Sequence, residues 1–232
     1  MILDILCPAR CPICHDIAPK GKKICPDCRK KLPYIETKRC LKCGKPIEDE
    51  RVFCRDCLKI CHNYDEGIGI FRYEEVMRES MSYFKYKGRK EYGHVFGELA
   101  AAASADRLEK WCADVCVPVP IHKSKLVQRG YNQAEVLAEA YSEKTGLPVL
   151  KNALVRPNKT RAMKELNAEE RAANLRGAIY PGASVPPAVL VIDDIYTTGA
   201  TIDACAHALR QAGASRVFFL TICIGSGFMV EY

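Results

Sequence analysis

From Asn63 onward, short apolar runs alternate with longer segments of mixed pattern. Glu66–Glu75 ("EGIGIFRYEE") has the apolar alternation of a strand. Glu74–Gly88 ("EEVMRESMSYFKYKG") has helical spacing and a glycine stop. Gly93–Trp111 predicts a second helix, and Asp114–Pro120 ("DVCVPVP") a short buried strand bounded by prolines. His122–Asn132 reads as a basic loop. Gln133–Gly146 is an amphipathic helix with a terminal glycine, and Leu147–Leu150 a further strand. Residues 156–176 are polar and basic, which predicts a mobile loop with a short helical piece at Asn167–Ala173. Ala188–Asp194 ("AVLVIDD") is the next strand, Ala200–Gly213 its helix and Arg216–Ile224 ("RVFFLTICI") the last strand. Strands alternating with helices predict an α/β domain with a parallel sheet, whose ligands bind at the carboxyl ends of the strands.

Before residue 63 the pattern changes. Ten of the chain's 14 cysteines lie there. Eight form C-x2-C pairs: Cys11/Cys14, Cys25/Cys28, Cys40/Cys43 and Cys54/Cys57, separated by 10, 11 and 10 residues. A C-x2-C turn presents two thiolates to one tetrahedral ion, so two pairs complete a four-cysteine zinc site and four pairs complete two. Free thiols or a single redox motif need no such regular repetition. Pairing in sequence gives two short zinc ribbons; an interleaved arrangement fits the same spacing. Cys7 and Cys61 fall outside the pattern. Some 60 residues with few large apolar side chains need metal to hold a core, and filled ligand shells make the zinc structural. The expected division is a double zinc ribbon at 1–62 and an α/β domain at 63–232.

The net charge of +7 is concentrated in this module: residues 1–63 carry 14 Lys and Arg against 8 Asp and Glu. Eight thiolates and two zinc ions would cut its excess of +6 to about +2, so charge alone is a modest argument for nucleic acid. No apolar run approaches a membrane span, and Met1–Cys14 lacks the basic flank and apolar length of a signal peptide. A cytoplasmic location is the expectation.

The densest chemistry is in Val189–Thr201, "VLVIDDIYTTGAT". Asp193 and Asp194 close a buried run, and Ile195–Ala200 leads into a helix. Backbone N–H groups at that helix start suit a phosphate. Thr197, Thr198 and Thr201 add hydroxyls, and Gly199 permits close backbone approach. Two carboxylates beside a phosphate cradle repel it unless another group lies between. A ribose does so, because its hydroxyls donate to carboxylates. A sugar 5-phosphate therefore fits the whole string. Neither G-x-G-x-x-G nor a Walker pattern is present.

This string resembles the motif of type I phosphoribosyltransferases that binds 5-phosphoribosyl 1-diphosphate (PRPP). Together with "VPVPIHKSKLVQRGYNQAEVLAE", "EERAANLRGA" and the cysteine pairs, it resembles the ComF family of competence proteins, double zinc ribbon phosphoribosyltransferases. That resemblance implies a type I phosphoribosyltransferase fold, PRPP with Mg²⁺, and transfer of phosphoribosyl to an unidentified nucleophilic acceptor. It implies that Asp193, Asp194 and Arg129 carry the catalysis, and that Thr197–Thr201 hold the 5-phosphate. Lys123 and Arg171 would meet diphosphate. His122 is a weaker candidate, and Asn174 matches the family pattern. Met163 stands where the family commonly has glutamine. Asp203 reads as surface, and Cys205 and Cys223 as packing residues. A role in DNA uptake follows from the same resemblance, with single-stranded DNA and other competence proteins as partners. The competing function is a non-enzymatic single-stranded DNA-binding competence factor that uses the PRPP fold as ligand sensor or platform. Separately, the mix of aromatics and lysines in Tyr83–Lys87 is a candidate for stacking bases. The plainer reading of that segment turns its aromatics inward and its lysines outward.

Overall fold

The computed structural model describes residues 8–47, 49–157 and 179–225. Met163, Arg171 and Asn174, with Cys7, lie outside the described residues. The helical piece at 167–173 does too.

Two short helices, α1 (Pro26–Lys30) and α2 (Arg55–Lys59), belong to the cysteine-rich module. The remaining elements are β1 (Glu66–Arg72), α3 (Glu75–Tyr86), α4 (Glu91–Ala103), α5 (Ala105–Trp111), β2 (Val115–Pro118), α6 (Lys123–Arg129), α7 (Gln133–Thr145), β3 (Leu154–Val155), β4 (Tyr180–Pro181), β5 (Ala188–Tyr196), α8 (Ala200–Gln211) and β6 (Arg216–Ile224). Among the described residues the main sheet is parallel, in the order β1-β6-β5-β2. The expected architecture, a parallel sheet with flanking helices behind two cysteine clusters, is the one observed.

The sheet is buried on both faces, which is why its strands read as unbroken apolar runs. Leu190, Ile192, Leu220 and Ile222 face α4 and α7, against Phe96, Leu99, Leu137 and Tyr141. Val189, Val191, Val217 and Phe219 face α8, against Ile202, Cys205 and Leu209. Cys205 and Cys223 are fully buried, as expected of packing residues.

Several elements differ from the sequence reading. The predicted basic loop contains α6. His122 caps it by accepting from the Ser124 amide at 3.1 Å, and Gly130 ends it at φ 80°. The predicted second helix is two, broken at Ser104, whose hydroxyl meets that of Tyr141 at 2.9 Å. Of Leu147–Leu150, Val149 forms a parallel bridge with Cys116. A small antiparallel pair, β3–β4, was not anticipated.

The cysteine-rich module also caps the sheet. β1 is an edge strand, and an open edge invites pairing with other chains. Residues 33–44 cover it. The amide of Gly67 donates to Lys42 O at 2.9 Å, that of Arg72 to Pro33 O at 2.9 Å, and the Arg39 guanidinium to Gly69 O at 2.7 Å. Gly44 makes the approach possible: its φ is 72°, and a Cβ there would lie 2.6 Å from Gly67 O and 2.7 Å from Ile68 Cα.

Candidate functional site

Chain direction locates the crevice. From β2 the chain moves outward to Val149, whereas from β5 it moves inward to β6. The order reverses between β2 and β5, where open α/β sheets take their ligands. Asp193 and Asp194 stand one and two residues beyond Ile192, the residue in register with Pro118.

β5 runs on to Tyr196, two residues past the acids, so the loop before α8 is only Thr197–Gly199. Thr197 and Thr198 are exposed; Ala200 and Thr201 are half-buried. Gly199 is the N-cap of α8 at φ 83°. The first amides of a helix have no intrahelical partner, so the start of α8 presents donors toward this loop.

Successive strand residues project from opposite faces. Asp194 shares its parity with Leu190 and Ile192, and it meets Lys85 at 3.0 Å. Asp193 shares the face of α8. Burial first, then the neighbouring Asp194 charge, pushes the Asp193 carboxyl up to about 7. Arg156 lies within electrostatic reach on this side.

Lys85 comes from the last turn of α3. It follows Met77 and Met81 at four-residue intervals, and both methionines are buried. The helical period therefore turns Lys85 inward and leaves Tyr86 exposed. This reverses the plainer reading of Tyr83–Lys87 at these two residues. Burial disfavours the Lys85 ammonium, but Asp194 and then Asp193 outweigh it and hold Lys85 above its ordinary range.

The turn between α6 and α7 packs against the end of α3. Asn132 caps α7 through the Ala134 amide at 3.1 Å and donates to Val119 O at 3.0 Å. Tyr131 donates its hydroxyl to Phe84 O, tying this turn to the end of α3. Arg129 donates to Gln133 Oε1 at 2.8 Å and to the Tyr86 hydroxyl at 3.2 Å, with its guanidinium 4.9 Å from the Tyr86 ring centre. Lys125 is one turn before Arg129 on the same side of α6. Desolvation, then the like charges of Arg129, Arg156 and Lys85, holds its ammonium below the usual range, with Asp194 opposing. Lys123 is about 200° around the helix from Lys125; both lysines are exposed. The sequence reading chose Arg129 and Lys123 and missed Lys85, Lys125 and Arg156. For Lys85 the signal was the Met77–Met81–Lys85 spacing.

Asp203 has a partner rather than a free surface. Its carboxylate takes His62 Nδ1 at 2.6 Å and the Asn63 amide at 2.8 Å. His62 stacks on Tyr64, whose hydroxyl meets that of Tyr196 at 2.8 Å. The start of α8 is thereby fixed to the end of the cysteine-rich module.

Among the described residues, two groups of four cysteines bring their sulfurs within 4.8 Å of one another: Cys11/Cys14/Cys25/Cys28 and Cys40/Cys43/Cys54/Cys57. Pairing is therefore sequential. Tetrahedral zinc with bonds of about 2.3 Å places its sulfurs about 3.8 Å apart. Cys14 and Cys25 are 3.8 Å apart, Cys43 and Cys54 3.6 Å, and the Cys54 amide supports Cys40 Sγ at 3.3 Å. The donor sets fit zinc. Cys61 is exposed and belongs to neither group.

Residues 2–58 match the double zinc ribbon domain. The chain is 32% identical over 200 residues to competence protein ComFC of Streptococcus pneumoniae, covering 84% of each protein. It belongs to the ComFC family. ComFC of Bacillus subtilis is 29% identical over 199 residues, covering 83% of this chain and 80% of that protein. DNA utilization protein YhgH of Escherichia coli K12 is 24% identical over 223 residues, covering 93% and 97%. Among solved structures, the B. subtilis glutamine PRPP amidotransferase superposes with a TM-score of 0.42 at 20% identity, over 61% of this ComFC-family chain and 30% of the amidotransferase. Hypoxanthine phosphoribosyltransferase of Trypanosoma cruzi gives 0.39 at 14% identity, over 62% and 70%. No helix among the described residues is long and apolar enough to cross a membrane.

Proposed function

We propose that the chain binds PRPP between β2 and β5 and transfers its phosphoribosyl group to a nucleophilic acceptor, with two structural zinc ions in the cysteine module. One observation carries this reading: an adjacent acid pair at the switch point is joined by a short loop to a glycine-capped helix N-terminus, with Lys85 on Asp194 and Lys125, Arg129 and Arg156 nearby.

In this reading the amides and hydroxyls of Thr197–Thr201 hold the 5-phosphate, and Asp193 and Asp194 accept from the ribose hydroxyls. The C1–O bond to diphosphate breaks, the acceptor's lone pair forms the new bond at C1, and the acceptor's proton leaves to solvent or a base. The barrier lies in separating a highly charged leaving group from an electron-poor carbon. Arg129 and Lys125 face the leaving group from α6. Arg171 is proposed to join them, and Lys123 to meet diphosphate from the rim. The Asp193 and Asp194 oxygens are hard donors suited to Mg²⁺, directly or through water, and Mg²⁺ held with the diphosphate would supply further charge neutralisation.

A second reading rests on Tyr86, exposed and stacked with Arg129 at the rim. An aromatic beside a guanidinium suits an unpaired base, so single-stranded DNA would pass the same crevice. The two readings separate in one experiment. Diphosphate release from PRPP and Mg²⁺ that requires an added acceptor supports transfer. Salt-dependent single-strand binding that survives Asp193→Asn with Asp194→Asn supports the platform.

A further inference from the structure

Lys85 has no assigned role in the PRPP reading, yet its placement is the least expected feature of the crevice. Lysine is among the residues least often buried without a partner. Here the ammonium is brought 3.0 Å from Asp194, with side-chain exposures of 18% and 11%. The helix around it is built to hold this position. Met77 and Met81 are buried on its own stripe, Phe84 is fully buried beside it, and Tyr131 pins the helix end through Phe84 O. The last turn of a helix also favours a cation. A surface lysine needs none of this support, and a lysine retained for packing alone would not need its charge.

Resting on the PRPP reading, we infer that Lys85 is a substrate-contacting residue whose target is the diphosphate at C1, and that Asp194 parks its ammonium until the ligand arrives. The argument is one of adjacency. In PRPP the 2-hydroxyl and the diphosphate are on neighbouring carbons. A carboxylate that accepts from the ribose diol therefore lies close to the leaving group. An ammonium already hydrogen-bonded to that carboxylate is within a small side-chain rotation of the diphosphate oxygens. Lys85 carries three N–H donors, and Asp194 uses only part of that capacity. It approaches from the end of α3, beside Arg129 and Lys125 of α6, so the leaving group would meet cations from two elements. Asp194 then has two successive partners, Lys85 before binding and the ribose afterwards, and the exchange leaves the carboxylate hydrogen-bonded throughout while the ammonium moves to the diphosphate.

The test compares ligands with and without the diphosphate. Calorimetry with PRPP, inorganic diphosphate and ribose 5-phosphate is run on the full chain, with Mg²⁺, for wild type, Lys85→Met and Lys85→Arg. The inference expects Lys85→Met to weaken PRPP and diphosphate roughly 10- to 100-fold, the loss of one charge-assisted hydrogen bond. Ribose 5-phosphate should change less than about threefold, and Lys85→Arg should recover most of the loss. Equal weakening of all three ligands, or of none, overturns it, because a purely structural lysine would not distinguish them. If Lys85→Met does not fold, the wild type decides. Acylation of lysines, read by mass spectrometry, should be slowed at Lys85 by diphosphate and PRPP but not by ribose 5-phosphate. Absence of that selective protection overturns the inference. Failure of wild type to bind PRPP at all would instead defeat the reading of the crevice itself.

Discussion

Gly199 lies against the ring of Tyr196: a Cβ on Gly199 would come within 2.5 Å of the Tyr196 hydroxyl and 2.9 Å of Cζ. The ring cannot yield easily, because it stacks on Phe219 at 4.8 Å and its hydroxyl is held by Tyr64. Gly199 also sits at φ 83°, where a side chain is strained. Gly199→Ala is expected to cost ~1–3 kcal/mol in urea denaturation. It should also weaken PRPP more than inorganic diphosphate, because in the proposed reading the displaced loop holds the 5-phosphate. Unchanged stability and affinity would refute this account of the loop.

The contact of Gly44 with Gly67 links the second cysteine cluster to the sheet edge. Metal loss there should be felt by the whole protein. Atomic spectrometry of purified protein should return close to two zinc ions per chain. Cys43→Ser should leave about one and lower the melting temperature of the α/β core. One zinc or none in the wild type would contradict the two-site reading.

Asp193 gives a pH prediction. Its carboxyl is raised to about 7 in the folded chain, against an ordinary value near 3.8. Between those values the folded state binds the extra proton, so the contribution of Asp193 to stability is fully present below about pH 4 and is lost as pH rises to about 7. Asp193→Asn should therefore gain stability over wild type across that interval by ~1–4 kcal/mol, constant above it. Denaturation curves at pH 4.5, 6 and 8 check this; a pH-independent difference would show that the carboxyl titrates normally.

Asp203 couples α8 to the cysteine module through His62. Asp203→Ala leaves the His62 Nδ1 and the Asn63 amide without their acceptor. It should cost ~1–3 kcal/mol, while zinc content stays at two. Loss of zinc with no loss of stability would contradict the assigned link.

Much of this was legible in the sequence. Strands buried on both faces write themselves as apolar runs, and eight cysteines in four pairs admit few arrangements. The acid pair, threonines and glycine are contiguous, so their common place at the end of β5 and the start of α8 could be read directly. What was hidden depends on contacts between distant positions. Lys85 meets Asp194 across more than a hundred residues, and His62 meets Asp203 likewise. The capping of β1 runs through backbone groups, which leave no side-chain signature. Helix α6 was read as a loop because "KSKLVQR" has no buried apolar stripe; Leu126 and Val127 are exposed, and the helix rests on its His122 cap and Gly130 stop.

The central claim is that the acid pair and the glycine-capped helix form a PRPP site. Calorimetric titration of PRPP with Mg²⁺ into wild type and into the Asp193→Asn, Asp194→Asn double variant tests it most directly. The account predicts saturable binding by wild type and none by a double variant that remains folded. Binding of PRPP by both proteins with the same affinity would contradict it.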